Sequence, residues 1–165
     1  MAALNVETRF IEALHELKLR PQNWDNLIIY SQAYLETGAF SSDLAIYACN
    51  FWGIKWNSGS DFAYYEKQTK EFVDGKEVTI TAKFKKYEIP IDGINNYIDI
   101  IRKHYNQSFN HRNEYKEYFK GLQTGTELEP WRKWSTSPTY ADTCIKTYER
   151  LNRPEFYLLI NEVKT

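Results

Sequence analysis

Two glutamates in this chain, Glu36 and Glu71, have sequence surroundings that could suit a carboxyl for acid–base chemistry. Glu36 lies near the end of an almost wholly apolar stretch containing Leu27, Ile28, Ile29, Tyr30, Ala33, Tyr34 and Leu35. A helix that is apolar all round is a central, buried one. Glu36 continues the row Ile29, Ala33 at helical spacing, which directs its side chain along a covered face. It also falls in the last turn, where the helix dipole presents its negative end. Desolvation and the dipole both favour the neutral carboxyl. A carboxyl kept protonated near neutral pH can protonate a departing glycosidic oxygen. The alternative is a helix-end glutamate turned to solvent, and periodicity by itself does not choose between the two.

Glu71 is the second candidate. Asp74-Gly75 is a strong two-residue hairpin signal, with Phe72 and Val73 before it and the alternating run Val78, Ile80, Ala82, Phe84 after it. A two-residue turn pairs Val73 with Lys76 and sets Glu71 opposite Val78, on the face of Val78, Ile80 and Phe84. A carboxylate on that face calls for a reason. Lys67 and Thr69 share the face, however, so it can be ordinarily amphipathic, and a slip of one residue would move Glu71 to the other side.

The elements that must hold these residues follow from the same periodicities. Phe10, Ala13, Leu14 and Leu17 form the stripe of a first helix. A second runs from about Trp24 to Thr37, with Gly38 suited to its stop. Ser41 or Ser42 caps a third that reaches about Cys49. After the hairpin, Pro90 opens a helix carrying Ile91, Ile94, Ile98 and Ile101 on one face. Ser137-Pro138 reads as an N-cap followed by proline at the first helical position, with Ala141, Ile145 and Tyr148 facing inward. Pro154 starts a short terminal helix. The expected class is α+β, a mainly helical body with one protruding β-hairpin, in a single domain over residues 1–165 because no linker or repeat interrupts the chain.

Composition removes several function classes. The 165 residues carry a formal net charge of -1, which gives no electrostatic case for nucleic acid or an anionic membrane surface. No stretch approaches the ~18–20 apolar residues of a membrane span. The first ten residues lack a basic region followed by an apolar core, so no secretory signal is expected. Cys49 and Cys144 fit no metal spacing and read as two buried free thiols. His104 and His111 also fit no common zinc spacing. A cysteine peptidase or amidase pairing either thiol with His15, His104 or His111 has no recognisable local context. The thirteen Tyr, nine Phe and five Trp suit a sugar-stacking groove and equally suit a core.

Three blocks in order carry a resemblance. Leu35-Glu36-Thr37-Gly38, Ser42, Leu44-Ala45 and Asn50-Phe51-Trp52-Gly53-Ile54-Lys55-Trp56 form the first. Thr69-Lys70-Glu71-Phe72, Asp74-Gly75 and Ala82-Lys83-Phe84-Lys85-Lys86-Tyr87 form the second, and Ser135-Thr136-Ser137-Pro138-Thr139-Tyr140-Ala141 the third. From about Leu27 to Leu151 the chain thereby resembles the glucosaminidase family of peptidoglycan hydrolases. That family reads E-S-G and N-x-F-G-I-K, then a hairpin T-x-E-Y, N-G, A-K-F-R-x-Y, then Y-A-T-D-P-x-Y-A. The resemblance implies a lysozyme-like fold and endo-β-N-acetylglucosaminidase activity on the cell-wall glycan, without metal or organic cofactor. It makes Glu36 the catalytic acid, Glu71 the second carboxylate and Tyr140 the second tyrosine of the late motif. Asn50, Trp52, Trp56 and Trp134 are the expected substrate contacts. A monomer acting on glycan strands is expected. It would reach the wall as a phage or prophage endolysin, as a delivered effector, or as a chain trimmed of its signal.

The chain also departs from the pattern. Thr37 replaces a serine and Ser137 an aspartate. Trp134 stands where the family has the first tyrosine, and an indole N–H donates but does not accept. The stretch from His104 to Trp131 matches nothing in the pattern. The altered late motif leaves room for a glycan-binding module without turnover, and the same scaffold suits a muramidase or lytic transglycosylase.

Overall fold

A computed structural model describes residues 2–125 and 133–162. Eight helices and one hairpin make up the described chain: α1 (Ala2–Leu17), α2 (Asn26–Glu36), α3 (Asp43–Ala48), β1 (Ala63–Val73), β2 (Lys76–Lys86), α4 (Pro90–His104), α5 (Asn106–Asn110), α6 (Tyr115–Thr124), α7 (Tyr140–Leu151) and α8 (Pro154–Asn161).

The central element is α2, whose residues 26–33 are all buried. Asp25 caps it, its side chain accepting from the Leu27 N–H at 3.0 Å. The other Asp25 oxygen accepts from the Tyr148 hydroxyl at 2.5 Å, and Asn161 reaches back to Asp25 and to the Asn26 N–H. One buried carboxylate thus ties α2 to α7 and α8. At the far end, Thr37 Oγ1 donates to the Ala33 carbonyl and accepts from the Phe40 N–H. The chain then turns through three successive left-handed residues, Gly38, Ala39 and Phe40, at φ 56°, 58° and 63°. Glycine takes that conformation freely, whereas each of the other two costs roughly 1–2 kcal/mol. The fully buried Phe40 ring, packed on Phe10, Tyr30 and Phe51, offsets part of it.

β1 and β2 pair in the register set by a two-residue turn, Val73 with Lys76 and Glu71 with Val78. Asp74 and Gly75 both have positive φ, the requirement of a type I′ turn. Residues 54–56 run beside the base of β2, with Trp56 N–H donating to Lys83 O and Lys85 N–H to Ile54 O. Phe84 seats this base on Leu44 and Ala48 of α3. Next along the chain, α4 buries Ile94, Tyr97, Ile98 and Ile101 against the main core. Its Gly93 passes so close to α3 that a Cβ there would stand 2.3 Å from the Cys49 carbonyl oxygen.

The α+β class and nearly all the expected elements match this architecture; two boundaries differ. α2 starts at Asn26 because Asp25 takes the cap. The seventh helix starts at Tyr140, so Pro138 is not its first residue. The Ser137 hydroxyl is spent locally on the Thr139 N–H, while Gln123 of α6 accepts from the Ala141 N–H at 2.7 Å. The segment that matched no motif provides the end of α4, then α5 and α6, and its residues 126–131 lie outside the described ones.

Candidate active site

An open cleft of ≈ 490 Å³ lies where the C-terminal end of α2 meets the start of α7, and Glu36 is in its wall. Leu35, Trp52, Gly53, Trp134, Ser135, Ser137, Tyr140 and Thr143 complete the lining. A second hollow of ≈ 270 Å³ shares Trp52, Gly53 and Trp134 with it and extends past Ile54, Lys55, Ile100 and Tyr105. The shared walls make one trough with two indoles at its middle. Trp52 is held flat by stacking on Tyr97, centroids 4.0 Å apart and planes 14° apart. Trp134 sets its ring against Tyr97 and Tyr105, each at 5.6 Å. Rigid aromatic walls are what sugar faces stack on.

Glu36 ends α2 as an exposed residue in the cleft wall, although protein crowds its carboxyl closely enough to strip part of its water. That crowding raises its pKa above the ordinary glutamate value by desolvation, the leading influence. Donation from the Tyr140 hydroxyl and, second, the Trp134 indole N–H pulls the other way without cancelling it. The Tyr140 hydroxyl donates to Glu36 Oε1 at 2.6 Å, and Gln32 Nε2 donates to the same hydroxyl at 2.8 Å. Substrate seated in the cleft would remove more water and press the carboxyl further toward its neutral form. The result is a carboxyl of raised pKa facing an open, aromatic-walled trough.

The remaining candidates divide. Tyr140, Trp52 and Trp134 stand with Glu36. Asn50 does not line the trough: its carboxamide donates to Ile54 O and Lys85 O and accepts from the Ile54 N–H. Three of the four hydrogen bonds it can make close the 50–54 loop, which carries Trp52 and Gly53, and tie it to β2. Trp56 is likewise committed, its Nε1 donating to Phe62 O at 2.8 Å and its ring packed on Tyr64 at the hairpin base. Glu71 is exposed two rungs from the turn, on the face of Tyr65 and Phe84, and lines neither part of the trough.

Both thiols are buried and unbridged. Burial pushes Cys144 up to about 12 and also raises Cys49, the reverse of what a nucleophilic thiolate needs. His15 is bound to Leu159 O and His111 to Glu114. No group of three or more metal-binding side chains forms among the described residues. The residue that sequence reasoning missed is Gln32. Its signal is an amide one turn before Glu36, in a helix whose residues 27–30 and 33–35 are apolar or aromatic.

Comparison with known proteins decides the family. Residues 12–153 match the glucosaminidase family, described as mannosyl-glycoprotein endo-beta-N-acetylglucosaminidase. The chain belongs to the glucosaminidase family. It is 30% identical over 136 residues to the exo-glucosaminidase LytG of Bacillus subtilis, a match covering 78% of the chain and 45% of that protein. The chain thus spans about half the length of that curated relative. Among solved structures it is similar to a mutant of the peptidoglycan hydrolase of Sphingomonas sp. A1, with TM-score 0.67, 16% identity and coverage of 99% of this chain and 100% of that one. The catalytic domain of the autolysin Auto from Listeria monocytogenes gives TM-score 0.66 at 20% identity, covering 93% and 84%. The glucosaminidase-family chain therefore has the lysozyme-like fold that the resemblance implied. No helix among its described residues is long and apolar enough to cross a membrane.

Proposed function

We propose that this glucosaminidase-family domain hydrolyses the β-1,4 bond that follows N-acetylglucosamine in peptidoglycan glycan strands, with Glu36 as general acid. The observation that carries the reading is the Glu36 carboxyl, desolvated yet open to the trough and gripped on one oxygen by Tyr140 at 2.6 Å. Family membership and the wall-hydrolase names of its relatives support the substrate class.

In the proposed reaction Glu36 passes its proton to the glycosidic oxygen as positive charge develops on the departing sugar ring. Trp52 and Trp134 stack on the sugars, and Trp134 adds its indole N–H to Glu36 where a tyrosine hydroxyl stands in the family pattern. Among the described residues no second carboxylate lines the trough. Glu71 therefore takes part only if the hairpin closes over bound glycan; without closure, the sugar's own acetamido group or water must meet the charge. A monomer in which residues 1–165 form one catalytic domain, released or delivered to the wall, is the simplest form of this reading.

Digestion of purified peptidoglycan, borohydride reduction and mass spectrometry of the new ends test it, with Glu36→Gln as control. Reduced glucosamine ends, absent with the variant, are expected. Reduced muramic ends would make it a muramidase and anhydro-muramic ends a lytic transglycosylase. Binding without new ends would leave only a glycan-binding module.

A further inference from the structure

Gln32 is fully buried one helical turn before Glu36, where an apolar side chain would fill the space without polar cost. Its carboxamide is used at both ends. Nε2 donates to the Tyr140 hydroxyl at 2.8 Å, and Oε1 accepts from the Tyr97 hydroxyl. Tyr97 and Tyr118 stand with their hydroxyl oxygens 2.5 Å apart. Four side chains from α2, α4, α6 and α7 thus form an unbroken row ending on Glu36 Oε1.

A phenol has one proton to give. Because Gln32 donates to Tyr140, the Tyr140 proton is left for Glu36. Because Tyr97 gives its proton to Gln32, Tyr118 must supply the one between the two tyrosines. Every bond in the row therefore points toward Glu36. If the carboxamide turned over, Oε1 would take the Tyr140 proton, and Glu36 could keep its contact only by donating its own.

We propose that Gln32 is a positioning residue that fixes Tyr140 as a donor to Glu36 Oε1, so that Oε2 carries the transferable proton and the carboxylate left behind is held by the same bond. The proposal rests on Glu36 being the general acid. In the step itself the Oε2–H bond breaks and its proton goes to the glycosidic oxygen. The C1–O bond breaks with its electron pair on that oxygen, and Tyr140 keeps its own proton throughout. The titratable groups that face Glu36 are Tyr140 and Cys144 of α7; Trp52, Trp134, Ser135 and Ser137 complete its surroundings, and none of the described ones carries charge at neutral pH.

The test is the pH dependence of kcat and KM on a soluble glycan-strand fragment, with thermal melts, for Gln32→Met, Gln32→Glu, Tyr97→Phe and the control Glu36→Gln. Gln32→Met should lower kcat about tenfold, a fraction of what a directly acting donor supplies, with KM within about twofold. Its alkaline limb should move up by about half a pH unit or more, because the Glu36 carboxylate loses an assured donor. Gln32→Glu can imitate the amide while protonated and only accept once ionised. It should work at acid pH and fail earlier than wild type as pH rises. Tyr97→Phe frees the carboxamide to turn and should shift the limb in the direction of Gln32→Met by less. Folded Gln32→Glu and Tyr97→Phe with wild-type kcat and wild-type limbs would overturn the proposal, even if Gln32→Met does not fold. Turnover by Glu36→Gln would remove Glu36 as the acid and this proposal with it. An inactive Glu36→Gln beside unchanged Gln32 and Tyr97 variants would remove the Gln32 role alone.

Discussion

Glu36 and Glu71 occupy opposite physical settings. Glu36 is itself exposed, but residues 26–33 of the helix before it are buried, Gln32 and Tyr140 are committed by hydrogen bonds, and Trp52 and Trp134 are clamped by Tyr97. Around Glu71 the two strands hold only each other. Phe72 beside it is 78% exposed, Val73 52% and Ile80 38%, and only the base of the hairpin is anchored, through Phe84 on α3. A proton donor needs fixed surroundings, because its pKa and aim depend on them. A group that meets charge only after substrate has bound can sit on an element with few buried contacts, since such elements open and close at low cost. On the proposed reading, Glu36 is set before substrate arrives, and Glu71 takes part only if the hairpin closes over bound glycan.

The sharpest way to break this comparison is Glu36→Gln. Rate should fall about 10³-fold or more, within the ~10²–10⁴ range of a general acid, while the fold persists. The same variant has a stability signature. Burial raises the folded-state pKa of Glu36 above its unfolded value, so its contribution is fully present in acid and lost as pH rises through the folded pKa. Glu36→Gln should therefore melt at or above the wild-type temperature at neutral and alkaline pH, with the gap closing in acid. Melts that diverge the other way would mean that the carboxylate, not the acid, is the favoured form.

Tyr140→Phe comes next. Removing the 2.6 Å donor should cost about 10–10²-fold in kcat and move the alkaline limb upward, read from the same pH–rate curves. Glu71→Gln should cost less, on the order of tenfold, and a disulfide or cross-link that pins the hairpin open should reproduce its loss in a wild-type background. Wild-type rates with the hairpin pinned would take Glu71 out of the mechanism. Smallest on chemistry is Asn50→Ala. It strands the Ile54 N–H and takes the amide donor from Lys85 O, while Ile54 O keeps the Lys85 N–H; the cost of about 1–3 kcal/mol is visible in the melting temperature and in KM more than kcat.

Much of this was legible in the chain, and the failures share a cause. The hairpin register followed from Asp74-Gly75 because a two-residue turn leaves one pairing. Glu36 could be singled out because α2 is mostly apolar and it is the helix's one carboxylate. The start of α7 is not legible locally, because Gln123 of another helix accepts from the Ala141 N–H. The motif places Asn50 and Trp56 along the chain, but not where their side chains spend their hydrogen bonds. The partners of Gln32, 65 and 108 residues away, appear only once α4 and α7 are packed against α2.

The most direct test of the central claim is a carbon-detected NMR titration of the Glu36 side-chain carboxyl in the wild-type protein and in Tyr140→Phe. A Glu36 pKa above the ordinary glutamate value of about 4.3, rising further when the tyrosine hydroxyl is removed, is the expected result. A value at or below the ordinary one, or one indifferent to Tyr140, would contradict a general acid held ready by its surroundings.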